Sequence, residues 1–214
     1  MKPTVAIDGP AGAGKSTLAQ RLAEHLGVER LDTGAMYRAV AWAALRGGLD
    51  LADTASVAAL AAALSIEVGE RVLVEGTDAS NEIRTAEVDA AVSIVAANPE
   101  VRSELVKRQR AWVEARGGGV VEGRDIGSVV LPGADLKVYL TASATERARR
   151  RAEERQDGRS VDEVATQLRR RDEYDSTRRD SPLPKPGDVA RDALVIDSTD
   201  RSTEDILAEI LRCL

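Results

Sequence analysis

The chain contains no phenylalanine, and aromatic residues make up only 2% of its 214 residues, so Leu, Val, Ile and Ala must build whatever core it buries. A single cysteine, Cys213, leaves no partner for an intramolecular disulfide, and a single histidine, His25, excludes a histidine-rich metal cluster. Both fit a reducing, cytoplasmic setting. No apolar stretch approaches the ~18 residues that a membrane span needs, and Met1-Lys2 leads directly into a short apolar run ending at Asp8, so neither a membrane association nor an export signal is expected. A basic excess is lacking too. The formal net charge of -6 argues against a nucleic-acid polymer as partner, because duplex-binding surfaces are strongly basic. With 43% hydrophobic and 31% charged residues the composition is that of a soluble globular protein, and the length suits a single domain with room for inserted subdomains.

What the chain does have is arginine. Twenty-five of its thirty basic residues are Arg, and eleven of these fall between Arg147 and Arg179. The guanidinium is a planar fork of donors matched to phosphate oxygens, so a local concentration in an acidic chain points to small phosphorylated ligands. The same residues would also serve as a solvated helix surface. Arg147, Arg150 and Arg151 share one helical face, as a mobile lid over a nucleotide would need, while Glu146, Glu153 and Glu154 offer them salt-bridge partners.

Five short apolar runs read as buried strands: Thr4 to Ile7, Val28 to Leu31, Val120 to Glu122, Leu136 to Leu140 and Ala193 to Ile196. Helical patterns lie between them. Leu18, Leu22 and Leu26 repeat every fourth residue up to Gly27, a helix with a glycine stop. Ser143 with Glu146, Ser160 with Glu163 and Ser202 with Asp205 have the spacing of capping boxes. Strands alternating with helices predict an α/β fold, a five-stranded parallel sheet covered on both faces. The stretch from Asp32 to about Arg116 departs from that rhythm. It holds two antiparallel strands, Ser65 to Val68 and Val72 to Glu75, then helical runs from Thr85 to Ala97 and Pro99 to Ala115. Pro182, Pro184 and Pro186 make a stiff connection before the last strand.

Gly9-Pro-Ala-Gly-Ala-Gly14-Lys15-Ser16 fits the Gly-x-x-x-x-Gly-Lys-Ser/Thr pattern, directly after a strand and before a helix. Glycines let the backbone wrap a phosphate, and the amides of the loop and the helix start point inward at the anion. Gly9, Pro10, Ala11, Gly12, Ala13, Gly14, Lys15, Ser16 and Thr17 would then cradle ATP, with Lys15 on the β and γ phosphates and the Ser16 hydroxyl on Mg2+. Such a loop alone does not say whether the acceptor is water or a substrate.

Further segments narrow the choice. Ile7-Asp8-Gly9-Pro10, Leu31-Asp32-Thr33-Gly34-Ala35-Met36-Tyr37-Arg38, Gly123-Arg124-Asp125-Ile126-Gly127, Arg171-Asp172-Glu173-Tyr174-Asp175 with Arg178, and Asp197-Ser198-Thr199 occur in this order. Over essentially its whole length the chain resembles the bacterial cytidylate kinases. The resemblance implies a P-loop NTPase-like core (1-31, 117-146 and 161-214), an inserted monophosphate-binding subdomain (32-116) and a short helical lid (147-160). It implies transfer from ATP to CMP or dCMP, and a monomer is expected. By the same resemblance Arg38, Arg124 and Arg178 hold the acceptor phosphate beside Thr33, and Asp175 with Arg171 lies at the sugar. Ser93, Arg102 and Asp125 contact the cytosine ring, and Arg150 and Arg151 embrace the transferring phosphate, so that Lys15, Arg124, Arg150, Arg151 and Arg178 carry the catalysis.

Two positions depart from the pattern. Ser16 stands where many of these kinases have glycine, and Glu122 replaces an aspartate of some members. Residue-level competitors stay open: Arg102 could pair with Glu104, Asp125 could cap a turn with Gly127, and Asp175 could pair with Arg178 alone. At the level of the whole chain the competitors are a small-metabolite kinase with the same loop and a nucleotide-gated switch ATPase. The acceptor-directed arginines weigh against the first, since an alcohol acceptor lacks the charge they would neutralise.

Overall fold

The computed structural model describes residues 2-155, 159-177, 183-184, 189 and 192-214. The chain divides into two compact units, one formed by Met1–Arg30 with Arg116–Leu214 and the other by Leu31–Ala115. Arg178, Pro182, Pro186 and the stretch 156-158 of the expected lid lie outside the described residues.

The first unit is built on strand β1 (Thr4–Asp8), whose apolar run Val5-Ala6-Ile7 is wholly buried. A strand buried on both faces is the signature of a parallel sheet with helices on each side. β1 is followed by α1 (Lys15–Leu26), and the chain then enters β2 (Arg30–Asp32). The later strands are β6 (Gly119–Glu122), β7 (Leu136–Thr141) and β8 (Ala193–Asp197), in the order β2-β6-β1-β7-β8. β1 runs parallel to both β6 and β7, and β7 runs parallel to β8. The five-stranded sheet expected from the sequence is therefore what forms.

Its core joins Val5, Ile7, Val120, Val138, Leu140 and Ile196 of the strands to Leu18 and Leu22 of α1 and to Ile206 and Ile210 of α8 (Thr203–Leu211). Burying each such side chain contributes roughly 1.5–3 kcal/mol, and the cluster fixes the end of β1, where the phosphate loop starts. α1 stops at Gly27, which takes a left-handed conformation (φ 62) and directs its amide at the Ala23 and Glu24 carbonyls. Because Val28 also donates to Ala23, it belongs to the helix stop, and β2 begins later than the apolar run suggests.

Two further helices, α6 (Ala144–Arg155) and α7 (Val161–Thr177), carry the arginine-rich stretch. Ser143 accepts from the Glu146 amide, and Ser160 and Glu163 bond reciprocally, as a capping box requires. Ser202 likewise accepts from the Asp205 amide at the start of α8.

The second unit contains α2 (Thr33–Arg46), α3 (Thr54–Ala63), a small antiparallel sheet, α4 (Ala86–Ala97) and most of α5 (Pro99–Arg116). The sheet has three strands, β3 (Ile66–Val68), β4 (Val72–Val74) and β5 (Thr77–Asp78), one more than the sequence suggests. β4 and β5 are joined by Glu75 (φ 50) and Gly76 (φ 73), both left-handed, as the primed turn of a tight hairpin demands. Glutamate is rare in that conformation, which is why the turn does not announce itself. Arg108 of α5 donates to the carbonyls of Ala61, Ala62 and Leu64, satisfying the open end of α3.

Candidate active site

The phosphate loop leaves β1 through Gly9, whose φ of 145 belongs to glycine, and a Cβ there would sit 1.9 Å from the Leu140 carbonyl oxygen. Gly12 (φ 78) is equally committed, since its Cβ would meet the Arg147 carbonyl oxygen at 2.7 Å. The loop is thus pressed between β7 and α6, and its path is not free to vary. α1 then opens on Gly14 with no side-chain cap and no acidic residue in its first turn. The amides of that turn and the positive end of the helix dipole are left for an anion.

Lys15 donates from Nζ to the Pro10 carbonyl at 2.8 Å. It keeps some solvent contact, yet the crowding of protein around it lowers the ammonium to about 7, with repulsion from Arg124 adding to the effect and Glu122 opposing it. Ser16 donates from Oγ to Oε2 of Glu122 at 2.8 Å, and the other oxygen of Glu122 accepts from Arg30 at 2.8 Å. Glu122 is only 3% exposed, and having both oxygens occupied offsets the cost of burying its charge. A hydroxyl beside a carboxylate is an oxygen donor set that suits a hard divalent cation. Among the described residues no three His, Cys, Asp or Glu side chains form a metal cage.

After β6 the chain carries Arg124 and Asp125 back across the start of the loop. Arg124 donates from Nη1 to the Gly9 carbonyl at 2.7 Å, and its Nε lies 3.2 Å from Asp175 on α7. Arg171, one turn earlier on α7, lies 4.0 Å from the same carboxylate. Asp175 is therefore buried between two guanidiniums in addition to any contact with Arg178. Asp125 is buried and its side chain does not cap the π-type turn that follows, Ile126–Val130. Asp8 takes that part: Oδ1 accepts from the Ile126 amide at 2.7 Å and Oδ2 from the Gly127 amide at 2.8 Å.

α6 brings its arginines to the other side of the loop. Arg147 is buried, donating to the Ala142 and Ala11 carbonyls and to Asp172 of α7. Arg150 donates to Glu146, to the hydroxyl of Ser198 at 3.0 Å and to the Ser198 carbonyl at 2.8 Å. Arg151 pairs with Glu154 at 2.7 Å. Hydrogen bonds from Arg149 and Arg150 hold Glu146 down to about 2, so it stays an anion under the arginine row. Arg150 also lines a cavity of about 270 Å³ with Ala13, Thr17, Ser198, Arg201 and Thr203.

In the second unit Thr33 and Arg38 lie on α2, Ser93 on α4 and Arg102 on α5. Thr33, Arg38 and Arg102 are buried and Ser93 is half-buried. Arg38 donates to the Ile83 carbonyl at 3.2 Å and pairs with Asp89 of α4. Glu104, the partner considered for Arg102 above, pairs with Arg108 of the same helix at 2.7 Å. Sequence reasoning passed over Asp89, Arg30 and the role of Asp8; only Asp8, as part of a motif next to the loop, carried a signal that could have singled it out.

An uncapped helix start, a glycine loop at the end of a central parallel strand and a row of arginines beside it define a P-loop nucleotide-binding kinase. Solved structures share the fold: an uncharacterized protein from Eubacterium ventriosum ATCC 27560 matches with a TM-score of 0.58 at 12% identity, covering 99% of this chain and 97% of that one. A gluconokinase from Sinorhizobium meliloti 1021 matches with a TM-score of 0.53 at 15% identity, covering 99% and 91%. The family model for cytidylate kinase matches residues 5–214. Cytidylate kinases from Mycobacterium leprae (47% identical, 97% of this chain and 93% of that protein) and Pelotomaculum thermopropionicum (49% identical, 98% and 94%) are similar to it. The chain belongs to the cytidylate kinase family.

Proposed function

We propose that this chain transfers the terminal phosphoryl group of ATP to CMP or dCMP, giving ADP and CDP or dCDP. The observation that carries the reading is the bond from Arg124 to the carbonyl of Gly9, which ties a cation of the family's acceptor motif to the first residue of the phosphate loop. A donor cradle and an acceptor-directed cation so joined suit a reaction whose catalysis is mainly positioning and charge neutralisation.

On this reading residues 9–17 hold the ATP phosphates, with the amides of the first turn of α1 as donors and Lys15 on the β and γ groups. The cavity beside Thr17, Arg150 and Ser198 has room for the donor's nucleoside. Mg2+, the normal companion of ATP, would be held by Ser16 and organised by Glu122, and when bound it neutralises charge on the β and γ phosphates. Arg38, Arg124 and Arg178 take the acceptor phosphate with Thr33, Asp175 and Arg171 take the sugar, and Ser93, Arg102 and Asp125 take the base. The acceptor phosphate is already an anion, so no base need deprotonate it; once its charge is screened it attacks the γ-phosphorus directly. Arg150 and Arg151 supply further screening from α6. We assign a monomer and a cytoplasmic setting, the latter supported by the free thiol of Cys213.

The test is ADP release in a coupled assay with ATP-Mg and each of CMP, dCMP, UMP, AMP, shikimate and gluconate. Turnover dependent on CMP or dCMP is the expected result. Turnover with shikimate or gluconate alone would make the chain a small-metabolite kinase, and acceptor-independent hydrolysis would favour a switch ATPase.

A further inference from the structure

The segment from Gly123 to Gly127 belongs to no strand, yet it carries two residues on which the proposed reaction depends. What holds it is the end of β1, residue by residue. The Gly123 amide donates to the Ile7 carbonyl at 2.9 Å, Arg124 donates to the Gly9 carbonyl at 2.7 Å, and the Ile126 and Gly127 amides donate to the two oxygens of Asp8. Backbone carbonyls would be present whatever residue stood there, so among these contacts the part that depends on a side chain of β1 is the Asp8 carboxylate. The carboxylate is 8% exposed, and burial, with Asp125 adding to it, pushes the group up to about 6 despite the two amides and Lys15. A charged group kept where burial opposes it needs a reason beyond filling space.

We infer that Asp8 is a positioning residue for the acceptor side of the reaction: by gripping the amides of Ile126 and Gly127 it fixes Arg124 and Asp125 against the phosphate loop. This rests on the acceptor roles proposed for those two residues. A carboxylate can accept two N–H bonds at once, and Asn cannot, because its NH₂ would face an amide donor. In Asp8→Asn one grip is lost and the turn at Asp125 loosens. Misplacement of reacting groups by about 1 Å can lower rates by about 10²-fold.

The experiment compares wild type, Asp8→Asn and Arg124→Ala. For Asp8→Asn we expect kcat/KM for CMP to fall about 10- to 100-fold, the range for lost bonds to a charged group. ATP affinity by calorimetry should change less than about twofold, since neither the loop amides nor the bond from Lys15 to the Pro10 carbonyl involves the Asp8 side chain. Amide hydrogen exchange should quicken at Ile126 and Gly127 while the α1 core stays protected. Normal CMP kinetics in Asp8→Asn, or lost kinetics with unchanged exchange at 126 and 127, would overturn the inference. An equal loss of ATP affinity would too, and would assign Asp8 to the donor loop. If Arg124→Ala itself leaves CMP turnover intact, it is the acceptor role of Arg124 that fails. Should Asp8→Asn not fold, wild-type exchange still decides: the Ile126 and Gly127 amides must be slow, and rapid exchange there would remove the grip.

Discussion

The phosphate loop and the arginine-rich helices both present positive character to phosphates, but they are built on opposite plans. In the loop the donors are backbone amides at an uncapped helix start, and two glycines that tolerate no Cβ fix their direction. On α6 the donors are long side chains, and the described ones at the site are held by carboxylates, Arg147 by Asp172 and Arg150 by Glu146, just as Asp175 of α7 holds Arg124 of the segment after β6. In the second unit Arg38 is held by Asp89 in the same manner. An arginine remains charged in any setting, so it must be restrained by an anion if it is to wait in place without disorder. Lys15 follows the loop's plan. It leans on a carbonyl, and its surroundings lower its hold on a proton instead of reinforcing it.

The largest effect should come from the loop's one cation. Lys15→Ala should lower turnover by on the order of 10²- to 10³-fold, the scale for one electrostatic donor removed from a reaction centre. Its melting temperature should stay close to wild type. Near-normal turnover in a folded variant would shift the catalytic weight to the arginines.

A thermal-denaturation series can ask what burial of the Asp8 charge does to the fold. Its carboxyl titrates at about 6 in the folded protein against 3.8 ordinarily, so between those values the folded state holds the proton more tightly than the unfolded chain. The wild type should therefore lose stability relative to Asp8→Asn as pH rises from 4 through 6, by about 2–3 kcal/mol in total, and the difference should then level off. A difference between the two proteins that does not change across pH 4 to 7 would mean the carboxyl is not raised.

Base choice sharpens the comparison on the acceptor side. On the proposed base contacts, a carboxylate at Asp125 that only accepts and a guanidinium at Arg102 that only donates would suit the amino group and ring nitrogen of cytosine and oppose uracil. Asp125→Asn should lower kcat/KM for CMP by roughly 10-fold or more and narrow the CMP-to-UMP ratio, because the amide can turn its NH₂ toward the uracil carbonyl. Equal losses on both nucleotides would place Asp125 in phosphate or metal geometry instead.

The smallest signal belongs to the proton on Lys15. With the ammonium at about 7 before ATP arrives, nearby phosphates must raise it, so binding near pH 7.5 should take up a fraction of a proton. Titration calorimetry in two buffers of different ionisation enthalpy would read it as a buffer-dependent heat. Lys15→Met should abolish that dependence, and a wild type with no buffer dependence would show that the ammonium is already fully protonated.

Much of the sheet was legible along the chain. Buried parallel strands are apolar runs, and the helix starts at Ser143, Ser160 and Ser202 depend on residues three apart, so both signals are local. The loop was legible for the same reason: strand, glycines, Lys15 and helix follow one another without a gap. β5 was not, because its turn rests on Glu75 in an uncommon conformation. The pairing of Arg147 with Asp172, 25 residues away, and the hold of Asp8 on Ile126, 118 residues away, have no local pattern at all.

The amino-acid sequence by itself thus determined the phosphate loop and the order of the strands along the chain, since periodicity, capping and the loop motif are properties of neighbouring residues. Only the tertiary structure decided which strands lie side by side, which carboxylate restrains each arginine, and that Asp8 carries the turn beyond Arg124. Those depend on burial and on meetings between residues distant in the chain, where desolvation selects the few polar partners that can satisfy one another.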